Sequence, residues 1–368
     1  MNKSEKNERY DRQISLKELG EAGQEKLKKA KVLVVGAGGL GCPALMYLAG
    51  AGVGKLGVVD FDVVRLSNLH RQVLFSVNDI GVSKAERAAE VLKQINPDIE
   101  ILVFNEKLTN SNTLNIFSDF DIILDGTDNF SSRYLINDAC VLLNKTLVYG
   151  AISRFEGQIA VFNVSKTNER AVNYRDLFPL APADNEVLNC AEAGVIGVIP
   201  GIIGTMMANE TIKLITVIGE VLANKLLTYN ALNNHFFDLE LSPRAETASL
   251  IPKGISEFES FNYEAFCGIH SAFDLSYENF EPMIKNSKIQ IVDVRESGET
   301  PHIKNIKHIH IPLSKLRAQI PEIEAETIVL FCQTGKRSKV AAEILSKHYG
   351  KSRKIFSLKD GISALQKK

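Results

Sequence analysis

Val32-Leu-Val-Val-Gly36-Ala-Gly38-Gly39-Leu-Gly41 is an apolar run that ends in a glycine-rich turn. The run reads as a fully buried strand, and a helical pattern follows from Cys42 to about Ala51. Gly36, Gly38 and Gly41 satisfy GxGxxG, with Gly39 as a further glycine inside the turn. Glycines there permit a tight turn and let backbone N–H groups approach a phosphate, while the helix N-terminus adds positive potential. Asp60 ends the next apolar run, 19 residues after Gly41, where a carboxylate can hold ribose hydroxyls. Taken alone, the turn favours a dinucleotide site and an NAD-dependent redox enzyme. GxxxxGK[ST] does not occur, which excludes a P-loop.

Outward from the turn, strands alternate with helices. Residues 56–60, 99–104, 121–125, 146–151 and 158–164 read as strands, and Ser83 to Ile95 as a helix stopped by Asn96–Pro97. Such alternation predicts a parallel sheet with helices on both faces. From Ser242 the periodicity weakens and Pro243, Pro252 and Gly254 appear. A second α/β unit follows, with strands at 289–293, 327–331 and 354–357 and a helix from Ser338 to His348. The expected division is a domain over 1–245, a linker over 246–274 and a domain over 275–368.

The 368 residues suit two domains, and 45% hydrophobic content supplies a core for each. The net charge of −1 disfavours nucleic-acid steering. From His270 onward, 17 Lys and Arg face 11 Asp and Glu, a weak pointer to an acidic partner. Met1 to Asp11 has no apolar core of a signal peptide. Val195 to Met207 is interrupted by Gly and Pro and is too short to span a bilayer, so no membrane association and a cytoplasmic location are expected.

Residues 60–72, DFDVVRLSNLHRQ, and Lys84 go beyond what a dinucleotide site needs. Arg71 and Lys84 beside a nucleotide cradle suit a triphosphate whose α-phosphorus is attacked. Asp128, at a strand end in DGTDN, suits Mg²⁺. Each charge taken singly reads as a solvated surface residue; at successive strand ends together they point to ATP.

RYDRQ (9–13), GAGGLG (36–41), DFDVVRLSNLHRQ (60–72), GVSKA (81–85) and DGTDN (125–129) together resemble the MoeB/ThiF family, adenylyltransferases akin to ubiquitin-activating enzymes. The resemblance covers about residues 5–242 and implies a Rossmann-like adenylation domain. It implies that the C-terminal carboxylate of a ubiquitin-like sulfur carrier, of MoaD or ThiS type, attacks the α-phosphate of ATP. By matching positions, Gly39, Asp60, Ser67, Asn68, Leu69, His70, Arg71, Lys84, Asp128 and Asn129 would contact ATP and Mg²⁺. Arg12 matches an arginine supplied across a homodimer interface.

Five cysteines, Cys42, Cys140, Cys190, Cys267 and Cys332, form no CxxC pair, which argues against a disulfide framework. Cys42 and Cys140 fall in apolar helical patterns and read as core, and Cys267 carries no assigned role. Cys190, in NCAEAGVIGVIPGIIG, reads either as an inert cysteine or, by the same resemblance, as the crossover-loop cysteine that resolves an acyl-disulfide. Many members of the family bind a structural zinc through two CxxC pairs. Here the first pair would fall at Asn173 and Asp176 and the second near Ser242–Arg244; neither place has a cysteine, so no structural zinc is expected.

Cys332-Gln-Thr-Gly-Lys-Arg-Ser338 follows an apolar strand and precedes a helix. Loop amides there can form an anion nest, and Lys336, Arg337 and the helix N-terminus favour a thiolate. A cysteine phosphatase loop has five residues between Cys and Arg; here there are four. With IVDVRE (291–296), Glu299, His302–Ile303 and IPLSKL (311–316), residues 275–368 resemble a rhodanese domain. That resemblance implies a persulfide on Cys332 stabilised by Arg337 and the loop amides, with Asp293 and Arg295 as structural or rim residues.

Together the two resemblances imply carrier adenylation followed by attack of the Cys332 persulfide, with a cysteine desulfurase or thiosulfate as sulfur donor. The pathway (molybdopterin, thiamine or tRNA thiolation) stays open, as does a rhodanese domain that serves only to bind partners.

Overall fold

The computed structural model describes residues 8–165, 170–181, 194–267, 273–284, 286, 288–301, 303, 306–320, 323–350 and 352–362. The chain divides into two compact units between Cys267 and Gly268.

The first unit holds an eight-stranded sheet: β1 (Lys31–Val35), β2 (Lys55–Val59), β3 (Glu100–Phe104), β4 (Ile122–Asp125), β5 (Thr146–Ser153), β6 (Glu156–Phe162), β7 (Lys225–Asn230) and β8 (His235–Glu240). Its order is β3-β2-β1-β4-β5-β6-β7-β8. β1 to β5 pair in parallel, because a helix follows each of β1 to β4 and carries the chain back: Gly41–Ala51, Lys84–Ile95, Thr113–Ser118 and Phe130–Leu142. The chain order reverses at β1, between β2 and β4, which opens a crevice at the carboxyl ends of these strands.

The expected all-parallel sheet stops at β5. Ser153 pairs with Glu156 across a two-residue turn in which Arg154 has φ 51°, so β6 must run antiparallel; β7 and β8 continue that way. Every residue of β8 is exposed, so its sequence shows no buried alternation to read. The helix Val198–Thr216 lies across Gly41–Ala51, and its Ile199, Ile203 and Met207 join the main core. A Cβ on Gly204 would fall 2.2 Å from the Leu40 carbonyl oxygen, so only glycine allows this approach. Among the described residues, no helix is long and apolar enough to cross a membrane.

Part of the segment expected as linker, 246–267, is folded onto the first unit. Its short helices Ile255–Ser260 and Tyr263–Phe266 are held by Asn110, whose Nδ2 donates to the carbonyls of Phe258 (2.6 Å) and Phe261 (2.8 Å). The anchor is a fully buried ion pair, Arg175–Asp138, at 2.7 Å. The Tyr263 hydroxyl donates to Asp138 at 2.9 Å, and the rings of Tyr134, Phe261 and Phe266 lie 4.9–5.5 Å from the Arg175 guanidinium. A buried charge persists only with such partners, and the segment's aromatics supply them.

The second unit is a five-stranded parallel sheet: β9 (Asp274–Leu275), β10 (Ile289–Asp293), β11 (Ile309–His310), β12 (Thr327–Phe331) and β13 (Lys354–Leu358), in the order β11-β10-β12-β13-β9. The helix Lys336–Tyr349 packs on β12 and β13. β9 and β11 have two residues each, too few for a periodic signal in the sequence.

Candidate functional sites

The glycine turn sits in the crevice between β1 and β4. Gly36 has φ 93°, and a Cβ there would meet the Gly126 carbonyl at 3.0 Å. A Cβ on Gly41 would fall 1.8 Å from the Gly36 carbonyl, so the turn closes only with glycine at both positions. Gly38 is different: the nearest atom to a Cβ there is Gln72 Nε2, at 3.8 Å. Gln72 is buried, and its Oε1 has no hydrogen-bond partner among the described residues.

A hydrogen-bonded path leads from this turn to the predicted cation. Ala37 N–H donates to Asp60 Oδ2 at 2.9 Å, and Asp62 N–H donates to Asp60 Oδ1 at 2.8 Å. Lys84 Nζ then donates to Asp62 Oδ2 at 3.1 Å. Burial pushes the Asp60 carboxyl above its usual range, and the charge of Lys84 opposes that shift. Lys84 opens the helix Lys84–Ile95, capped by Ser83, and is only 5% exposed. An ammonium at a helix start gains nothing from the dipole, so its carboxylate partner and the crevice hold it there. Asp62 lies inside the motif read from sequence but had no role there; its signal is its place two residues after Asp60.

Arg71 lies beside the turn: its Cδ is 3.6 Å from a Cβ built on Gly39, and its Nη1 donates to the Ser67 carbonyl at 3.0 Å. Asn68 Oδ1 accepts from Arg65 N–H, closing the 3₁₀ turn Leu66–Asn68. Ser67 and His70 are exposed, whereas Leu69 packs against the core, which leaves only its backbone to face a ligand. Asp128 and Asn129 lie just beyond β4 and are exposed. Asn129 Oδ1 is committed to capping the helix Phe130–Leu142, accepting from Ser132 N–H at 2.9 Å.

Arg12 does not join this constellation within one chain. It is exposed on the short helix Asp11–Ile14. Its neighbours Tyr10 and Gln13 contact Gly52 and the Ala51 carbonyl, at the far end of the helix that leaves the turn. Eleven residues of helix put that end about 16 Å away. Cys190 lies outside the described residues. Cys42 and Cys140 are buried core thiols, as read; burial pushes Cys42 up to about 12 and Cys140 well above its usual value.

In the second unit, Cys332 leaves β12 and is fully buried. Gly335, at φ 87°, turns its N–H onto Cys332 Sγ at 3.1 Å. Ser338 Oγ lies 3.7 Å from the same sulfur and 2.8 Å from Ser357 Oγ, and both serines are fully buried. Ser357 comes from β13, 25 positions along the chain; strand pairing alone delivers it, so no local sequence signal marks it. Arg337 points to Glu299, donating from Nη1 and Nη2 at 2.5 and 2.8 Å. The pairing holds the Glu299 carboxyl down at about 2. Arg295 grips Asp293 through Nε and Nη2 and the Pro301 carbonyl through Nη1, both residues buried, as structural residues do. The Lys336 side chain and His302 lie outside the described residues.

Comparison with known proteins follows the same division. Residues 10–250 match the ThiF family and residues 276–368 a rhodanese-like domain. The chain is 43% identical over 357 residues to a probable adenylyltransferase/sulfurtransferase MoeZ of Mycobacterium tuberculosis, covering 92% of this chain and 88% of the relative. It is 47% identical over 265 residues to a sulfur carrier protein adenylyltransferase of Thermus thermophilus, covering 71% and 97%. It is 37% identical over 383 residues to the adenylyltransferase and sulfurtransferase MOCS3 of Xenopus laevis, covering 96% and 84%. Among solved structures, E. coli MccB crystallised with AMPCPP and MccA shares the fold, with TM-score 0.57 at 22% identity over 65% of this chain and 72% of that one. The chain belongs to the ThiF family and carries a rhodanese-like domain as its second unit.

Proposed function

We propose that the first unit adenylates the C-terminal carboxylate of a ubiquitin-like sulfur carrier, and that Cys332 then delivers sulfur to it. The observation that carries this reading is the path from Ala37 through Asp60 and Asp62 to Lys84. It ties the glycine turn, where a Cβ on Gly38 meets nothing closer than 3.8 Å, to a buried cation, with Arg71 beside it. A glycine turn that opens a helix suits phosphate binding, and the Gln72 amide lies beside Gly38. Asp128 is the carboxylate for Mg²⁺, a metal that keeps most of its ligands as water and phosphate and needs one or two from protein. The ion supplies charge neutralisation on the phosphates; Lys84 and Arg71 do the same from the chain itself.

The carrier carboxylate oxygen attacks Pα, the Pα–O bond to the β-phosphate breaks, and pyrophosphate leaves. The terminal sulfur of a Cys332 persulfide then attacks the acyl carbon and AMP leaves, giving an acyl-disulfide. A second thiol, Cys190 or an external one, attacks the Cys332 sulfur and releases the thiocarboxylate; the resulting disulfide is reduced by a dithiol. Cys332 is buried, and a persulfide extends the reactive atom by about 2 Å beyond Sγ for the attack on the adenylate. Arg12 reaches the phosphates only from a second copy, so the working form is a homodimer with composite sites.

Pyrophosphate exchange with a purified carrier tests the first step. Wild type exchanges label into ATP, and Lys84→Ala loses at least about a hundredfold of that rate. Tight NAD binding without exchange overturns the assignment. Cys332→Ala keeps exchange and loses thiocarboxylate; full thiocarboxylate yield from that variant with thiosulfate as donor sinks the sulfur role. Mixing Arg12→Ala with Lys84→Ala chains restores up to about a quarter of wild-type exchange if sites are shared between copies, and none if they are not.

A further inference from the structure

Asp176 is a carboxylate with a fully buried side chain and an unusually full set of donors. Its Oδ1 accepts from Arg170 Nη2 at 2.6 Å, Arg244 N–H at 2.9 Å and Thr247 Oγ1 at 2.5 Å. Its Oδ2 accepts from Arg170 Nη1 at 2.9 Å, Asn173 N–H at 2.9 Å and Asn173 Nδ2 at 3.1 Å. Arg170 Nη2 also reaches the Arg244 carbonyl at 3.0 Å and Thr247 Oγ1 at 3.1 Å. One carboxylate therefore joins two stretches of chain about seventy residues apart, 170–176 and 244–247.

The four positions that meet at this point are 173, 176, 244 and 247. Both pairs have the i, i+3 spacing of a CxxC. Four-coordinate structural zinc needs thiolates or imidazoles at about 2.0–2.3 Å. Here the positions carry an amide, a carboxylate, a backbone amide of Arg244 and a hydroxyl, and the Arg170 guanidinium occupies the open side. A cation placed there would displace Arg170 and repel it. Among the described residues, no cluster of three or more His, Cys, Asp or Glu forms a metal site. The zinc of the family does not fit this chain.

We propose that the Arg170–Asp176 clip, with Asn173, Arg244 and Thr247, replaces that metal and holds the first unit together without one. The physical basis is the same in both cases: a centre of charge pins two stretches of chain that are far apart in sequence. Six charge-assisted hydrogen bonds converge on one anion, and a bidentate guanidinium balances its charge. The same pairing holds the Asp176 carboxyl below its usual range against the effect of burial. The clip also fastens the chain just before the segment that contains Cys190. It does so with no thiolate open to oxidation, which suits a protein that handles sulfane sulfur.

The test uses the full-length protein. Purified wild type is assayed for zinc by elemental analysis, and its thermal midpoint is measured with and without a zinc chelator. Less than about a tenth of an equivalent of zinc and an unchanged midpoint are expected. A stoichiometric metal, or a midpoint lowered by chelation, overturns the proposal. Asp176→Asn strips the charge from the node and lowers the midpoint by about 10 °C, and Thr247→Val, which keeps the shape and removes one donor, by about 3 °C. Should Asp176→Asn fail to accumulate, Thr247→Val still decides: a midpoint equal to wild type means that the clip does not hold the loops. Because these readouts need no carrier and no ATP, they stand apart from the adenylation assays.

Discussion

Arg337 and Glu299 form a two-pronged ion pair, 2.5 and 2.8 Å long, at the rim of the Cys332 loop. The arginine expected to face a sulfur anion is thus already oriented by a carboxylate of this chain. Glu299 has a folded-state value of about 2 against a usual 4.5. A depressed carboxylate contributes stability above its unfolded value and loses it as the pH falls. Wild type and Glu299→Gln should therefore differ above pH 4.5 and converge as the pH approaches 2. Acid unfolding followed by hydrogen exchange in residues 289–358 measures this. Both side chains are about a third exposed, so the difference is small.

The two buried serines near Cys332 hold two protons for three acceptors: the sulfur, Ser338 Oγ and the Gly335 carbonyl. When the sulfur is anionic, Ser338 turns its proton to it and Ser357 donates to Ser338. Ser338→Ala should slow alkylation of Cys332 by iodoacetamide about fivefold at neutral pH. Ser357→Ala, which never touches the sulfur, should slow it by about half as much on a logarithmic scale. Equal rates for both variants and wild type would remove the serines from the sulfur chemistry. Mass spectrometry of the labelled peptide reads the rates.

The glycine turn separates folding from binding. Gly41→Ala puts a methyl 1.8 Å from a carbonyl oxygen and should unfold the turn, seen as loss of soluble protein. Gly38→Ala meets nothing closer than 3.8 Å and should fold as wild type. If ATP phosphates bind at this turn as proposed, the methyl obstructs their approach, and ATP affinity by calorimetry should fall at least about tenfold.

Arg175→Leu leaves Asp138 buried without its cation and should cost about 3–5 kcal/mol in urea unfolding. Asp138→Leu should cost a similar amount. The double variant should cost less than either alone, because no uncompensated charge remains; a simple sum of the two losses would show that the pair is not coupled.

Much of this was legible from residues 32–41 and 60–85. The apolar run, the glycines and the charges lie close in sequence, so local pattern places them at strand ends. Cys332 and Arg337 were legible for the same reason, five positions apart on one loop. Lys84 was legible as a cation, but its partner Asp62 emerged only when β2 and the helix Lys84–Ile95 met at the crevice. The antiparallel strands β6 to β8 were hidden by a two-residue turn with an arginine at positive φ and by a fully exposed edge strand.

By itself, the sequence determined the two α/β units, the glycine turn after β1 and the Cys332 loop, because each is set by backbone demands over a few consecutive residues. Only the tertiary structure decided what those groups face. It turned Arg337 to Glu299, brought Ser357 to Cys332 across a strand pair, folded 246–267 onto Arg175, and gathered positions 173, 176, 244 and 247 around one carboxylate. Those partners are distant in the chain, so only the packed fold brings them together; at Arg175 and Asp176, buried ions find their counter-charges where the fold supplies them.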